Sequence, residues 1–467
     1  MSIFREYDIR GIADTQLTDS LTWGLGFVLG ELAKKAGETN IYIGQDVRLS
    51  SPRLVKALAA GLRAAKLNVL VLSPGPTPLL YFAATKAISD FATKSGIMIT
   101  GSHNPPEYNG FKMVIAGQTL FGSNIMAMKE AVLQAAEQAP APDRRRAQEK
   151  EIDRELDYIN YCKDTLRISR PIKVVIDAGN GAAGPLALAT YRALGCEVIP
   201  LFCEPDGTFP NHHPDPTVAA NLQHLIAEVL KSGAELGIAF DGDGDRIGAV
   251  SAKGEILYGD HLVMYFARDI LKEVPGATII SEVKSSQVLY DQLEAWGAKP
   301  IMWKTGHSLI KAKLKETGAA LAGEMSGHMF FAHRFFGFDD AIYAGARLIE
   351  GLSNKAESLS AFLASLPKTI NTPELRIDCS DEKKFNVVSK FTDQARAKYG
   401  DSVNSIDGAR IKLHQGWGLV RASNTQPVLV MRFEGPSLAA VKLIRDEFAE
   451  IFSSIDASIR VPEIHGS

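Results

Sequence analysis

The sequence predicts an α/β protein with three similar mixed α/β units in tandem and a C-terminal α+β unit, set around a central cleft. Three observations carry that expectation. Short apolar runs rich in Val and Ile alternate with amphipathic stretches of helical period. The alternation recurs three times in one order, and each recurrence ends in a short polar loop of unusual composition. A chain of 467 residues is also too long for one ordinary core.

In the first unit the pattern predicts a strand over 41–44, a helix over 52–66, a strand over 68–72, a helix near 79–86 and a strand over 97–99. The second repeats this with a strand over 173–176, a helix over 185–194, a strand over 197–202, a helix near 218–231 and a strand over 236–240. The third reads as strand 278–280, helix 286–296, strand 300–303, helix 308–317 and strand 319–322. The charged stretch 143–150 reads as a linker or helix start. After about residue 364 the style changes to α+β, ending in a strand over 428–433 and a helix over 437–452. The expected boundaries are 1–150, 151–252, 253–364 and 365–467.

Ligands of such sheets bind beyond the carboxyl ends of the strands, so the loop that closes each repeat is where chemistry is expected. The first is Thr100-Gly101-Ser102-His103-Asn104-Pro105. Glycine permits close backbone approach and proline fixes the turn, so the Ser102 hydroxyl can be held oriented. A nucleophile needs proton-transfer and charge-stabilising partners, and His103, Asn104 and Lys112 supply them. A serine that merely caps a turn is the ordinary alternative.

The second loop, Asp241-Gly242-Asp243-Gly244-Asp245-Arg246, alternates carboxylate with glycine. In an extended loop, residues two apart point to one side, so three carboxylates converge. Like charges that close require a cation, and all-oxygen ligation suits Mg²⁺. An EF-hand is excluded, because position six would be Arg246 and position twelve Ala252. Arg246 can hold a phosphate oxygen beside the metal. In the third loop, Gly323-Glu324-Met325-Ser326-Gly327-His328, Glu324, Ser326 and His328 alternate and suit sugar hydroxyls. In the last unit, Arg421-Ala422-Ser423-Asn424-Thr425-Gln426-Pro427 offers a guanidinium, hydroxyls, an amide and backbone N–H groups to an oxyanion. Together the loops describe an enzyme that moves a phosphoryl group on a sugar.

One run competes with this reading. Gly179-Asn180-Gly181-Ala182-Ala183-Gly184 follows a strand, opens a helix, and has Glu204 further on, as a dinucleotide site would. Asp177-Ala178 separate the strand from the first glycine, however, and no second half supplies a nicotinamide site. A tight strand-to-helix turn accounts for the glycines.

A net charge of −3 gives no reason to expect nucleic acid or an anionic membrane as partner. No signal peptide opens the chain and no run approaches a membrane span. Cys162, Cys196, Cys203 and Cys379 lack metal-binding spacing and read as buried thiols. A soluble, cytoplasmic protein is expected.

The motifs T-G-S-H-N-P, D-G-D-G-D-R, G-E-M-S-G-H and R-A-S-N-T stand intact and in order, after an opening Tyr7-Asp8-Ile9-Arg10-Gly11. On these motifs the chain resembles the α-D-phosphohexomutase superfamily over essentially its whole length, and within it the bacterial phosphomannomutase/phosphoglucomutase group. The resemblance implies that Ser102 is a phosphoserine, with Asp241, Asp243 and Asp245 holding Mg²⁺ beside it. It implies that Glu324 and Ser326 read sugar hydroxyls with His328 nearby, and that Arg421, Ser423, Asn424 and Thr425 grip the unreactive phosphate. Tyr7, Arg10, Lys112, Lys284 and His307 match positions that line the family's cleft. Met325 matches the mannose/glucose group, whereas phosphoglucosamine mutases commonly carry Gln there.

The implied reaction interconverts hexose 1- and 6-phosphates through a hexose 1,6-bisphosphate, with glucose 1,6-bisphosphate as activator and a monomer as the working form. Lys112 is the first candidate for proton transfer and His307 the second. Lys112 would need a pKa lowered by Arg10 and Arg246. A phosphoglucosamine mutase, a sugar phosphatase using the same serine, a non-catalytic sugar-phosphate sensor and a nicotinamide-dependent dehydrogenase are the alternatives.

Overall fold

The computed structural model describes residues 3–85, 93–140, 150–424 and 426–464. Thr425, Lys86 at the end of the expected 79–86 helix, and residues 143–149 of the charged stretch lie outside the described residues.

Three sheets share one plan. In the first, strands Gly96–Ile99, Asn40–Gln45 and Asn68–Leu72 lie side by side in parallel, and strand Tyr108–Ile115 returns antiparallel against Gly96–Ile99. The second has Leu236–Phe240, Lys173–Asp177 and Glu197–Leu201 in the same third-first-second order, with Ile247–Ser251 returning against Leu236–Phe240. The third repeats it with Leu321–Gly323, Thr278–Glu282 and Lys299–Trp303, and the returning strand is Met329–Phe331. Each polar loop therefore joins the last parallel strand to its antiparallel return, which aims all three at the carboxyl ends of the strands. The fourth sheet is antiparallel, with strands Ala409–Leu413, Gly416–Ala422 and Val428–Gly435 at its centre and helices Lys384–Tyr399 and Leu438–Ile455 packed on it. The predicted α/β class with an α+β C-terminal unit is the observed one.

Most predicted strands and helices appear within a few residues of their expected ends. Several elements were not anticipated, foremost helix Asp19–Lys35. Its interior carries Gly24, Gly26 and Gly30, which weaken a helical pattern because glycine costs about 1 kcal/mol against alanine there. Packing explains them. A Cβ on Gly26 would lie 2.3 Å from the Leu58 carbonyl oxygen, and one on Gly61 would lie 2.1 Å from that of Trp23. Helices Asp19–Lys35 and Ser51–Ala64 thus touch backbone to backbone.

One hydrophobic core runs through the second and third units and takes in Leu79, Tyr81 and Phe82 of the first. The fourth unit has its own core. Replacing Gly61 by Ala forces the two helices apart, and overpacking of this kind costs about 1–3 kcal/mol. A lowered midpoint in urea unfolding followed by circular dichroism is the expected result.

Candidate active site

The four loops meet at a cleft of ≈ 1150 Å³ with walls from all four units. Every predicted site residue among those described lines it, except the three carboxylates, which lie fully buried behind its floor. Thr425 falls outside the described residues.

Ser102 sits at the cleft wall, only 2% exposed, with φ +50°. That left-handed backbone is uncommon for serine, and the surroundings hold it. The Ser102 amide donates to Thr100 Oγ1 at 2.8 Å. The guanidinium of Arg48 donates to the carbonyls of Ser102, Asn104, Pro105 and Tyr108, so one buried side chain holds three carbonyls of the loop and one beyond it. Asp46 in turn accepts from Arg48 Nε and from the Gly101 amide, each at 3.1 Å. With its backbone fixed, the Ser102 hydroxyl donates to Asp241 Oδ2 at 2.9 Å and lies 3.1 Å from His103 Nδ1. Burial, then Arg246 and Arg10, keep His103 neutral, far below the usual histidine range.

Asp241, Asp243 and Asp245 do converge, with one oxygen of each lying within 4.8 Å of the others. They do so on a turn, not on the extended segment the alternation predicted. Gly244 takes φ +74°, and Asp241 Oδ1 accepts the amides of Asp245 and Arg246 at 3.1 Å. Thr77, from the first unit, donates its amide and its hydroxyl to Asp243. Burial together with Asp245 and Asp243 pushes the Asp241 carboxyl well up. Asp243 Oδ1 is buried without any hydrogen-bond partner, and Asp245 Oδ1 lies 3.3 Å from His328 Nε2. Orphaned buried carboxylate oxygens are costly, and a divalent cation shared with Asp241 and Ser102 Oγ is what this donor set fits.

Lys112 departs from expectation. Its ammonium donates to Asp243 Oδ2 at 2.6 Å and to Asp245 Oδ2 at 2.5 Å. Burial alone would lower its pKa, but the two carboxylates outweigh burial and hold it well above the ordinary lysine value. The expected lowering by Arg10 and Arg246 does not occur, because Arg10 is turned to Asp8 and to Asn104 Oδ1, 2.7 Å away. Arg246 lies along the same turn, with Nε 3.3 Å from His328 Nε2 and 4.0 Å from Asp241.

Glu324, Ser326 and His328 face one another across a turn whose Gly327 has φ +90°. His328 Nδ1 is 2.9 Å from Glu324 Oε2 and 3.1 Å from Ser326 Oγ, and its Nε2 is 3.3 Å from Asp245. Against the effect of burial, Asp245 and Glu324 raise His328 to about 9. Its ring stacks on His307 at 5.5 Å. His307 Nδ1 is 3.1 Å from Asp339 Oδ2, while Lys311 holds the other oxygen of Asp339 at 2.9 Å. Burial and then Lys311 keep the His307 imidazole below the usual histidine range.

At the far end, Lys284 ion-pairs Glu374 at 3.2 Å, and Arg421 donates to Asp407 at 3.0 Å. Ser423 Oγ accepts the Gln426 amide at 3.1 Å. Asn424 Nδ2 donates to the Tyr7 hydroxyl at 2.5 Å, and Tyr7 donates onward to the Thr305 carbonyl, so the first, third and fourth units meet there. Sequence reasoning missed Arg48, Asp46, Thr77 and Asp339. The charged pair Asp46 and Arg48 at the carboxyl end of strand Asn40–Gln45 was the available signal for two of them. The glycine run at 179–184 is filled by the protein's own backbone. A Cβ on Gly181 would lie 2.8 Å from the Gly242 carbonyl oxygen, and one on Gly184 would lie 2.2 Å from that of Cys203.

A fixed serine beside a cation-seeking carboxylate turn, in a cleft with arginines and lysines at both ends, defines the phosphoryl-transferring mutases as a class. Comparison with known proteins agrees. The chain matches all four domain families of phosphoglucomutase/phosphomannomutase: alpha/beta/alpha domain I over residues 1–139, domain II over 156–254, domain III over 258–370 and the C-terminal domain over 374–451. It is 45% identical to a phosphomannomutase/phosphoglucomutase of Pseudomonas aeruginosa, covering 99% of this chain and 97% of that one. It is 44% identical to a phosphoglucomutase of Neisseria meningitidis, covering 97% of each. A crystal structure of a phosphoglucomutase/phosphomannomutase family protein from Burkholderia thailandensis superposes with a TM-score of 0.91 at 43% identity, covering 99% of both chains. The chain belongs to the phosphoglucomutase/phosphomannomutase family.

If the carboxylate turn takes a divalent cation, adding one at about 100 times its dissociation constant stabilises the fold by about 2.7 kcal/mol. Thermal unfolding with and without the cation reads this directly, and Asp243→Asn abolishes the difference.

Proposed function

We propose that the protein interconverts the 1-phosphates and 6-phosphates of mannose and glucose, with Ser102 carrying the phosphoryl group between them. The observation that carries this reading is the Ser102 hydroxyl, held by a fixed backbone against Asp241 within a cleft whose opposite end is independently cationic. A hydrolase needs one phosphate seat, whereas a mutase needs two, since its bisphosphate intermediate must bind either way round.

In the forward half-reaction, phosphorylated Ser102 gives its phosphoryl group to O6 of a hexose 1-phosphate. The Oγ–P bond breaks, an O6–P bond forms, and the O6 proton passes to a base. After the hexose 1,6-bisphosphate turns over, Ser102 Oγ takes the phosphoryl group from O1, and O1 recovers a proton. Asp241, Asp243, Asp245 and Ser102 would hold Mg²⁺, which would supply charge neutralisation at the transferring group. Arg246, beside Asp241, offsets charge on the same group. Two proton-transfer candidates line the cleft. The His307 imidazole is held below the usual range by burial and lies 3.1 Å from Asp339, and the Lys112 ammonium pairs with Asp243 and Asp245, the carboxylates that would hold the metal.

Glu324 and Ser326 read the sugar hydroxyls, with His328 fixing the glutamate. Lys284, Arg421, Ser423 and Asn424, with Tyr7 across the cleft, receive the phosphate that is not reacting, and we assign Thr425 to the same group. Arg10 and His103 flank the reacting phosphate. Glucose 1,6-bisphosphate reloads Ser102 when an intermediate escapes. One chain supplies all four walls, so the working unit is read as a monomer, and the cytoplasm as its compartment.

Phosphorus NMR with Mg²⁺, a trace of glucose 1,6-bisphosphate and both hexose 1-phosphates tests the reading. Both 6-phosphates appear without inorganic phosphate if it holds, while inorganic phosphate alone would mark a phosphatase. Ser102→Ala loses turnover yet still binds hexose phosphate by calorimetry. Arg246→Ala lowers kcat by roughly 10²–10³-fold, the usual effect of removing one charge-stabilising donor.

A further inference from the structure

The loop that joins strand Glu197–Leu201 to the helical turn Ala219–Leu222 takes no part in the chemistry above, yet its His213, Asp215 and Thr217 line the cleft. Asp215 is, after Asp241, the carboxylate that most strengthens the charge on Arg246. Pro214 packs under the catalytic loops: a Cβ on Gly179 would lie 3.0 Å from it, and one on Gly242 would lie 3.5 Å from it and 2.4 Å from the Ser102 carbonyl oxygen.

The loop is anchored behind the cleft by His212. Its Nε2 lies 3.0 Å from both oxygens of Asp177, and its Nδ1 lies 3.0 Å from the His213 carbonyl oxygen. Both ring nitrogens face acceptors only, so both contacts are hydrogen bonds only when the ring is an imidazolium. Asp177 is fully buried at the end of its strand, paired with Ala239 of the strand that leads into the carboxylate turn.

We propose that His212 and Asp177 form a positioning pair for the phosphoryl transfer, fixing the 204–217 loop so that Asp215 and Pro214 hold Arg246 and the carboxylate turn in register with Ser102. This rests on the mutase reading above. The groups facing His212 are Asp177 on its strand, His224 on helix Gln223–Ser232 at 6.2 Å between rings, the Phe202 ring at 5.5 Å, and His213 of its own loop. Burial alone would lower His212, but Asp177 outweighs it and raises the ring above the usual histidine value. The pair is therefore complete below roughly pH 6.5 and is lost as pH rises through the raised value.

Histidine-selective NMR of the wild-type chain, with His212 assigned from His212→Gln, reads the pair without turnover. A His212 pKa above roughly 6.5 that falls in Asp177→Asn supports the proposal, and titration at or below that value overturns it. In mutase assays His212→Gln lowers kcat by about 10–100-fold, as loss of an outer supporting partner does. KM stays nearly unchanged, and the part of the alkaline decline that belongs to His212 disappears. Wild-type kcat and pH profile in that variant would overturn the proposal, as would equal losses in kcat and affinity that track a lowered melting temperature. A wild-type chain with the expected titration but no hexose-phosphate turnover would sink the mutase reading and leave the His212–Asp177 ion pair standing.

Discussion

Three carboxylates buried on one turn are the constraint around which the rest of the molecule is arranged. At the separations found here, each pair repels by roughly 3–4 kcal/mol at an effective dielectric of about 20, and Asp241, Asp243 and Asp245 have no solvent to relieve it. The compensating charges come from different units. Lys112 reaches in from the first, Arg246 follows on the second, and His328 arrives from the third. The turn therefore does more than hold a cation. It ties three sheets to one point, and the glycines at 242 and 244 let the Ser102 loop and the Pro76–Thr77 segment approach it closely. A phosphoryl group carried on Ser102, as proposed, would then lie beside these buried charges.

What could be read from sequence and what could not divides along the same line. The Ser102, Asp241 and Glu324 loops are contiguous in sequence, so composition and spacing disclosed them, and the strand–helix repeat disclosed their equivalent places in three sheets. Arg48 and Thr77 were hidden because their partners are distant in the chain: Arg48 meets the Ser102 carbonyl 54 residues away, and Thr77 meets Asp243 across 166. Periodicity is silent on such pairs. Helix Asp19–Lys35 was hidden for a different reason, since its glycines serve close helix contact and blur the helical signal. The Lys112 pKa is raised where a lowering was expected, because sequence showed the cations near it and not how completely Asp243 and Asp245 would claim its ammonium.

The alternation rule gave the right convergence for the wrong reason. Period-two reasoning assumes extended backbone, yet both acidic loops turn sharply, with Gly244 and Gly327 in the left-handed region. Convergence survives because a tight turn also gathers its side chains, and it gathers them closer. The result is a pair of networks, Asp241–Ser102 and Glu324–His328–Asp245, joined where the Asp245 amide donates to Asp241 Oδ1. The residues proposed for sugar recognition and for phosphoryl transfer are thereby in direct contact.

A bisphosphate that turns over inside the cleft needs a wall that can give way, and the distribution of apolar contacts says which wall that is. The second and third units share one continuous core that reaches into the first, so they move as a block. The fourth unit keeps its core to itself, and the apolar patch it shares with the third is small: Val283 against Trp417 and Leu419. Met302 and Ile406 pack against that patch, and polar contacts surround it. Arg410 lies 3.7 Å from the Trp417 ring and donates to the carbonyls of Val283 and Ser285, Arg432 donates to that of Lys284, and Glu434 accepts from the Gln287 amide. Such bonds can be exchanged for water at little net cost, whereas parting a large apolar face would cost about 25 cal/mol for every Å² exposed. The closure bond between Asn424 and Tyr7 is of the same exchangeable kind. Among the described residues the fourth unit is thus the wall that costs least to open, and it carries the residues proposed to receive the phosphate that is not reacting.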